Sequence, residues 1–282
     1  MKWICINNDF VEEGKAILQA GDMAVQRGYG VFDFFRIYNN KPLFIDDYLN
    51  RFFNSAKEMF IIIPFGREEL KENIYRLIAM NNMPESGIRI TATGGYAADS
   101  YSVGEGNIII QQQPLLLPPK EKFVNGIKII TYPYMRDLPQ VKSINYLMGV
   151  WLQKQLKEKQ LDDVLYFQNN TVTEFPRSNV FIVTQDGELA TPAHNVLAGI
   201  TRKKILQFSP DIISTSTRDV STDELKNAAE VFMTSTTKRI LPVTEINGEK
   251  VGDGKPGSIT TRLYERFLEL EESYLLHEGS AL

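Results

Sequence analysis

The chain has 282 residues, 43% apolar and 23% charged, with 19 glycines and 13 prolines; fibrous and disordered classes are excluded, and there is length for one large core or two ordinary ones. Its 31 Lys and Arg against 35 Asp and Glu leave a net charge of −4, so no basic excess marks a nucleic-acid-binding face. A single cysteine, Cys5, and two histidines, His194 and His277, exclude an internal disulfide, a multi-cysteine zinc site and a site built on several histidine ligands.

Residues 2–6 read as a short apolar strand and 31–38 (VFDFFRIY) as a longer aromatic-rich one, with 42–45 as its hairpin partner across an Asn39-Asn40 turn. From Asp46, placed to cap, Tyr48, Leu49, Phe52, Phe53, Ala56, Met59 and Phe60 recur at helical spacing, and a second helix spans 67–81. Strands follow at 87–93 and 107–112, the second running into QQQPLLLPPKEK, whose three prolines mark the best linker. Beyond it come a strand over 126–132, a helix over 143–159, and strands at 163–167, 171–175 and 179–184 around an Asn169-Asn170 turn. Helices near 200–208 and 222–228 then alternate with strands near Ile212 and Val231, and a helix over 259–276 closes the chain. The pattern shows no internal repeat. It predicts an α+β architecture in two domains, 1–115 and 123–282, joined by a linker over 116–122.

Several motifs carry less than they suggest. The only GxGxxG, at Gly252, Gly254 and Gly257, follows a polar hairpin, contains Pro256 and lacks a βαβ unit, so it reads as a loop into the last helix. Arg202, Lys203 and Lys204 read as a solvated helix face, His194 as a loop histidine and Cys5 as an inert buried thiol. The N-terminal stretch lacks a basic start followed by a long apolar run. No stretch approaches the roughly 18 apolar residues of a membrane span, so a soluble cytoplasmic protein is expected.

With histidine, thiol and metal ligands scarce, an organic cofactor held by a lysine, an acid and phosphate donors is the natural carrier of hard chemistry. Lys142 lies between the strand over 126–132 and the helix expected from Ser143. Glu174 sits among mostly uncharged neighbours in TVTEFPRSNVFIV, with an ion pair to nearby Arg177 as the plain alternative. Gly199, Ile200 and Thr201 open a helix with backbone N–H groups and a hydroxyl, a ready phosphate site. Ser235, Thr236 and Thr237 end the strand EVFMTSTT with a second set of hydroxyls.

Four blocks in order, RGYGVFDFFRIYNNKPLFIDDYLNRF (27–52), VKSINYLMGV (141–150), TVTEFPRSNVFIV with LAGITR, and FMTSTT followed by VGDGKPGSIT, resemble the class IV, or fold type IV, pyridoxal-phosphate enzymes across nearly the whole chain. That family includes branched-chain aminotransferases, D-amino-acid transaminases and aminodeoxychorismate lyases. The resemblance implies a small α/β N-terminal domain, a larger β-barrel-like C-terminal domain with flanking helices, pyridoxal 5'-phosphate between them, and a homodimer that shares its sites. It assigns Lys142 as the lysine that joins the cofactor as a Schiff base, Glu174 as the carboxylate on the pyridine nitrogen and Tyr146 as the partner of the ring hydroxyl. Arg51 would hold the phosphate with Gly199, Ile200, Thr201, Ser235 and Thr236, and Leu197 would lie against the ring.

Two departures point to a subgroup. Arg27-Gly28-Tyr29-Gly30 runs straight into the strand without the family's longer loop, and GIRITATGGY lacks the arginine that bacillary D-amino-acid transaminases carry after a strand threonine. The combination resembles a less usual set of D-amino-acid transaminases that hold the substrate carboxylate with two arginines. Arg27, reaching in from the partner, and Arg89 would fill those places, beside Tyr29, Phe32 and the Thr237 amide, with Lys238 and Arg239 as further basic candidates. The expected reaction moves an amino group between a D-amino acid such as D-alanine or D-glutamate and a 2-oxo acid. The alternatives are a branched-chain L-amino-acid aminotransferase, favoured by Tyr146 and aromatic Phe32, Phe34 and Phe35; a 4-amino-4-deoxychorismate lyase, disfavoured by Asn145-Tyr146; and a non-catalytic scaffold, disfavoured by intact Lys142 and Glu174.

Overall fold

The aromatic run of residues 31–38 anchors the first of two units, which comprises Met1–Leu116 and Val141–Asn145; the second comprises Leu117–Gln140 and Tyr146–Leu282. The computed structural model describes residues 2–99 and 101–278, with side chains through 276.

In the first unit the elements are β1 (Trp3–Ile6), β2 (Asp9–Glu12), α1 (Met23–Arg27), β3 (Gly30–Tyr38), β4 (Lys41–Pro42), α2 (Ile45–Glu58), α3 (Arg67–Asn81), β5 (Ser86–Thr93) and β6 (Ile108–Pro114). The strands form a six-stranded antiparallel sheet in the order β2-β1-β6-β5-β3-β4. Alternation along β3 sends Phe35 toward Tyr48 of α2, with ring centroids 5.5 Å apart, while Phe32 and Phe34 project from the opposite face. The core lies under α2 and α3, where Phe35, Leu49, Phe52, Leu70, Ile74 and Leu77 are wholly buried.

Two local expectations change here. The hairpin partner of β3 is only two residues long, because Phe44 adopts a left-handed conformation (φ 54°) and becomes the N-cap of α2. Asp46 therefore sits in the helix's first turn, bonded by Arg67 and Lys71, instead of capping it. The helix expected from Ser143 begins only at Leu147. Residues 141–144 add instead to the edge of β3, where Phe32 N donates to Lys142 O (3.0 Å) and Ile144 N to Gly30 O (3.0 Å) around a Val31–Ser143 bridge. A Cβ at Gly30 would lie 2.8 Å from Ala92 O and 3.1 Å from Ile144, so the added segment fits against a glycine.

The second unit contains α4 (Lys120–Asn125), β7 (Ile127–Pro133), α5 (Leu147–Glu158), β8 (Asp163–Gln168), β9 (Thr171–Val172), β10 (Asn179–Val183), β11 (Glu188–Thr191), α6 (Ile200–Phe208), β12 (Ser214–Thr217), α7 (Thr222–Lys226), β13 (Glu230–Ser235), β14 (Arg239–Ile246), β15 (Glu249–Lys250) and α8 (Ser258–Glu278). Its mixed sheet runs β12-β11-β10-β13-β14-β7-β8-β9, with β15 paired to β14. The expected turn at Asn169 and Asn170 is present with both residues at positive φ (47° and 62°), suited to a tight hairpin. Phe175, Val180, Ile182, Val231, Met233, Leu241 and Val243 form its central core. The GxGxxG stretch is a loop into α8, whose first amides at Ile259 and Thr260 donate to the Glu230 carboxylate (3.0 and 2.7 Å).

Candidate active site

Lys142 is pinned by its backbone on two sides, its carbonyl to β3 and its N–H to Ser55 Oγ of α2 (3.2 Å). Its register places it opposite Phe32, and its Nζ lies 4.7 Å from the Phe32 ring centroid. Arg89, opposite Phe34 on the same face, sets its guanidinium 4.0 Å from that same centroid. The amine and the guanidinium therefore flank one aromatic ring that is itself 7% exposed. Arg51 of α2 is held by the fully buried Asp33, to whose two oxygens its Nε and Nη2 donate (2.9 and 2.6 Å). That pairing uses two of its five donors and fixes the fork. Arg27 ends α1 and is exposed, and Tyr29, half-buried, donates its hydroxyl to Met59 O (2.7 Å). Burial raises the Tyr29 phenol above its ordinary range.

In the second unit Glu174 is 4% exposed and held from three sides. Arg136 Nε donates to Oε1 (2.7 Å), Leu197 N to Oε2 (2.9 Å), and Asn179 Nδ2 reaches Oε2 at 3.5 Å. The partner is thus Arg136, itself fixed by Nη2 donating to Pro139 O (2.6 Å), and not Arg177, which is exposed. A guanidinium in contact and a backbone donor both favour the ionised carboxylate. Tyr166, stacked edge-on with Tyr134 (4.9 Å), lies beneath and is pushed up by burial first and then by nearby charge. Tyr146 precedes α5 as its half-buried N-cap residue.

α6 opens at Gly199, which offers no side-chain cap, so nothing from the cap position occupies the acceptor place before its first-turn amides. Ile200 and Thr201 in that turn are buried. Leu197 is half-buried beside them. β13 packs against α6 and ends at Ser235, where Thr236, Thr237 and Lys238 make a tight turn closed by Ser235–Arg239 pairing. Just before it, the Thr234 hydroxyl is buried without a partner among the described residues. Helix amides and serine and threonine hydroxyls offer donors to a phosphate, and the buried Glu174 carboxylate offers an acceptor to a protonated ring nitrogen, a set that suits a phosphorylated pyridine.

Two basic groups differ from expectation. Arg202 is not on a solvated face: its Nε donates to Thr191 Oγ1 (3.2 Å) and its Nη2 to Pro192 O (2.9 Å), and burial lowers its proton affinity. Lys238 pairs with Asp163 (2.9 Å). Sequence reasoning missed Arg136, Asn179 and Asp33. Asn179 alone left a signal, standing five residues after Glu174 across a proline-containing stretch.

Residues 30–246 match the amino-transferase class IV family. The chain belongs to the class IV aminotransferases. It is a pyridoxal-phosphate-dependent enzyme that moves an amino group from an amino acid to a 2-oxo acid. It is 32% identical over 263 residues to a D-alanine aminotransferase of Bacillus licheniformis, covering 91% of this chain and 93% of that one. A D-alanine aminotransferase of Staphylococcus haemolyticus is 32% identical over 284 residues, covering 97% and 99%. Among solved structures, the branched-chain amino acid aminotransferase of Escherichia coli aligns with a TM-score of 0.89 at 25% identity, covering 95% of this chain and 94% of that one. The two-part α+β fold matches that class IV architecture. Among the described residues no helix is long and apolar enough to cross a membrane.

Proposed function

We propose that this class IV aminotransferase acts on D-amino acids such as D-alanine and D-glutamate, with Lys142 as its reactive amine and Arg89 and Arg27 as readers of the substrate carboxylate. The observation that carries the reading is the Phe32 ring, which has the Arg89 guanidinium and the Lys142 amine both within 5 Å of its centroid. The two cations are then no more than about 9 Å apart, the scale of one α-amino acid held by its carboxylate while its amine reacts. Similarity to D-alanine aminotransferases supports the handedness.

When bound, pyridoxal phosphate supplies the carbonyl that accepts the amino group and the ring that takes up the electron pair left at the substrate Cα. The protein's own groups do the rest. Lys142 would hold the cofactor through its amine and, once free, would serve as the base and acid for the substrate's Cα proton; such positioned transfer is worth about 10²- to 10⁴-fold. Glu174 would keep the ring nitrogen protonated, and Tyr146 would bond the ring hydroxyl. Arg51, Ile200, Thr201, Ser235 and Thr236, with Gly199 open at the helix cap, anchor the phosphate dianion. Leu197 packs on the ring, while Tyr29, Phe32 and the Thr237 amide complete the substrate side.

The domain division that goes with this reading is 1–115, a linker over 116–122 and 123–282, except that residues 141–145, which carry Lys142, group with the first unit; α4 lies partly in the linker. A homodimer is supported by α5, whose Leu147, Val150 and Trp151 are exposed at helical spacing. Cytoplasmic placement fits the lone buried thiol of Cys5, pushed up to about 11 chiefly by burial.

Absorbance of the cofactor-loaded enzyme mixed separately with D-alanine, D-glutamate, L-leucine, L-glutamate and aminodeoxychorismate tests the reading. Conversion of the cofactor to its amine form by the D-substrates alone is expected. Conversion by L-leucine and L-glutamate instead would establish the branched-chain alternative, which the fold of the Escherichia coli enzyme and Tyr146 favour. Release of pyruvate from aminodeoxychorismate without net conversion would make it a lyase.

A further inference from the structure

We infer that Asn179 is a positioning residue that ties the Glu174 carboxylate to the N-terminus of α6, so that the acid and the phosphate-binding helix end hold one fixed spacing. The inference rests on the roles proposed above for Glu174 and α6.

The local chain path explains why the two side chains meet. Phe175 N donates to Ser178 O (2.9 Å), closing a tight turn over Pro176 and Arg177, so Glu174 and Asn179 stand across from one another on its two limbs. The Asn179 amide then closes a small ring of bonds. Its Nδ2 donates to Leu197 O at 2.8 Å and approaches Glu174 Oε2 at 3.5 Å, while Leu197 N donates to that same Oε2 at 2.9 Å. The amide thus bonds the loop that leads into α6 and sits at the outer edge of hydrogen-bond range from the acid that the same loop bonds through Leu197 N.

Its other end sets the identity of the helix cap. A Cβ at Gly199 would lie 2.0 Å from Asn179 Oδ1. Gly199 has φ −64° and ψ 138°, a conformation any residue adopts, so backbone freedom is not the reason for a glycine there. The reason is the space that Asn179 occupies. Asn179 is also paired in register with Thr234, whose side chain shares its face of the sheet and carries the buried hydroxyl that has no partner among the described residues. Asn179 is 5% exposed and has two rotatable bonds, so it acts as a short strut with little freedom to give.

A residue that only filled the core would affect folding and nothing else. A strut between acid and helix end must also affect how the cofactor is held and how its ring nitrogen titrates. The test uses full-length Asn179→Ala, Gly199→Ala and Glu174→Gln, measuring the dissociation constant of pyridoxal phosphate, the pH profile of bound-cofactor absorbance and the apoprotein's thermal midpoint. Loss of one buried hydrogen-bonding strut predicts cofactor binding weaker by about tenfold or more in Asn179→Ala. The pH profile should move in the same direction as in Glu174→Gln. Gly199→Ala, which leaves the amide in place but drives a methyl against it, should reproduce both changes. A folded Asn179→Ala with affinity within about twofold of the parent and an unmoved profile, beside a shifted Glu174→Gln, would overturn the inference. An unmoved profile in Glu174→Gln itself would instead remove the role proposed for Glu174, and the inference with it. If Asn179→Ala does not fold, Asn179→Ser and Gly199→Ala decide by the same readouts.

Discussion

Glu174 is a buried charge, and its energetics are set by what surrounds it within one bond. Arg136, 10% exposed, and Glu174, 5% exposed by side chain, form a pair whose desolvation is offset only while both partners remain. Removing the guanidinium alone in Arg136→Met should therefore cost about 3–5 kcal/mol of stability. Adding Glu174→Gln to that variant should recover a large part of the loss, because no uncompensated charge is left. Chemical denaturation of both variants checks this, and strictly additive effects would refute the coupling. The acid was legible in the sequence because its neighbours are mostly uncharged. Its partner was not, because Arg177 stands only three positions away in sequence, whereas Arg136 comes from 38 residues upstream and is brought in by tertiary structure. Cys5 illustrates the opposite case. An apolar strand context sufficed to predict a buried thiol, and with its proton held to about pH 11 it should resist thiol reagents at neutral pH until the protein unfolds. Labelling at the rate of a fully exposed thiol would contradict that.

At the scale of elements, the segment carrying Lys142 shows where periodicity misleads. The apolar positions Leu152 and Leu156 are helical and buried, and the pattern extends back to Ser143 without a breaker. The edge of β3 beyond its two-residue pairing with β4 offers main-chain donors and acceptors that residues 141–144 take up, and this tertiary ladder overrides the local pattern. Long elements such as α3 and α6 were readable to the residue. β2, α1 and β15 were not, being two to five residues long and fixed by partners distant in sequence.

α1 is a case in which such partners bear on function. Asp22, wholly buried, caps it by accepting from Ala24 N (2.7 Å), and its second oxygen accepts from Thr93 Oγ1 and Asn107 Nδ2 (both 2.7 Å), tying the helix that ends in Arg27 to β5 and to the approach to β6. Asp22→Asn replaces an acceptor by a donor that faces donors. The expected cost is about 1–3 kcal/mol, accompanied by a raised KM for the amino donor with kcat little changed. A stability loss with KM unmoved would show that α1 does not position Arg27.

At the scale of the whole molecule, α5 places its apolar residues on two faces. Leu152 and Leu156 are buried in the second unit, whereas Leu147, Val150 and Trp151, at i, i+3 and i+4, are 77%, 68% and 64% exposed. A contiguous stripe of that size on a surface helix is costly in water and is commonly covered by a protein partner. A second copy of the chain is the occupant proposed here, which also gives the exposed Arg27 a partner's site to enter. Val150→Glu places a charge in the middle of the stripe. On a position this exposed it should leave the protomer's own stability within about 0.5 kcal/mol. In a dimer the same carboxylate would be buried without a counter-charge, and the two copies should separate. Light scattering after size exclusion then gives a dimer for the parent and a monomer for Val150→Glu. The monomer should show a KM for D-alanine raised as far as Arg27→Ala raises it, since both remove the same guanidinium from the site. A monomeric parent would refute the dimer and with it the partner-borne role of Arg27, and a dimeric Val150→Glu with parental kinetics would place the dimer contact away from α5.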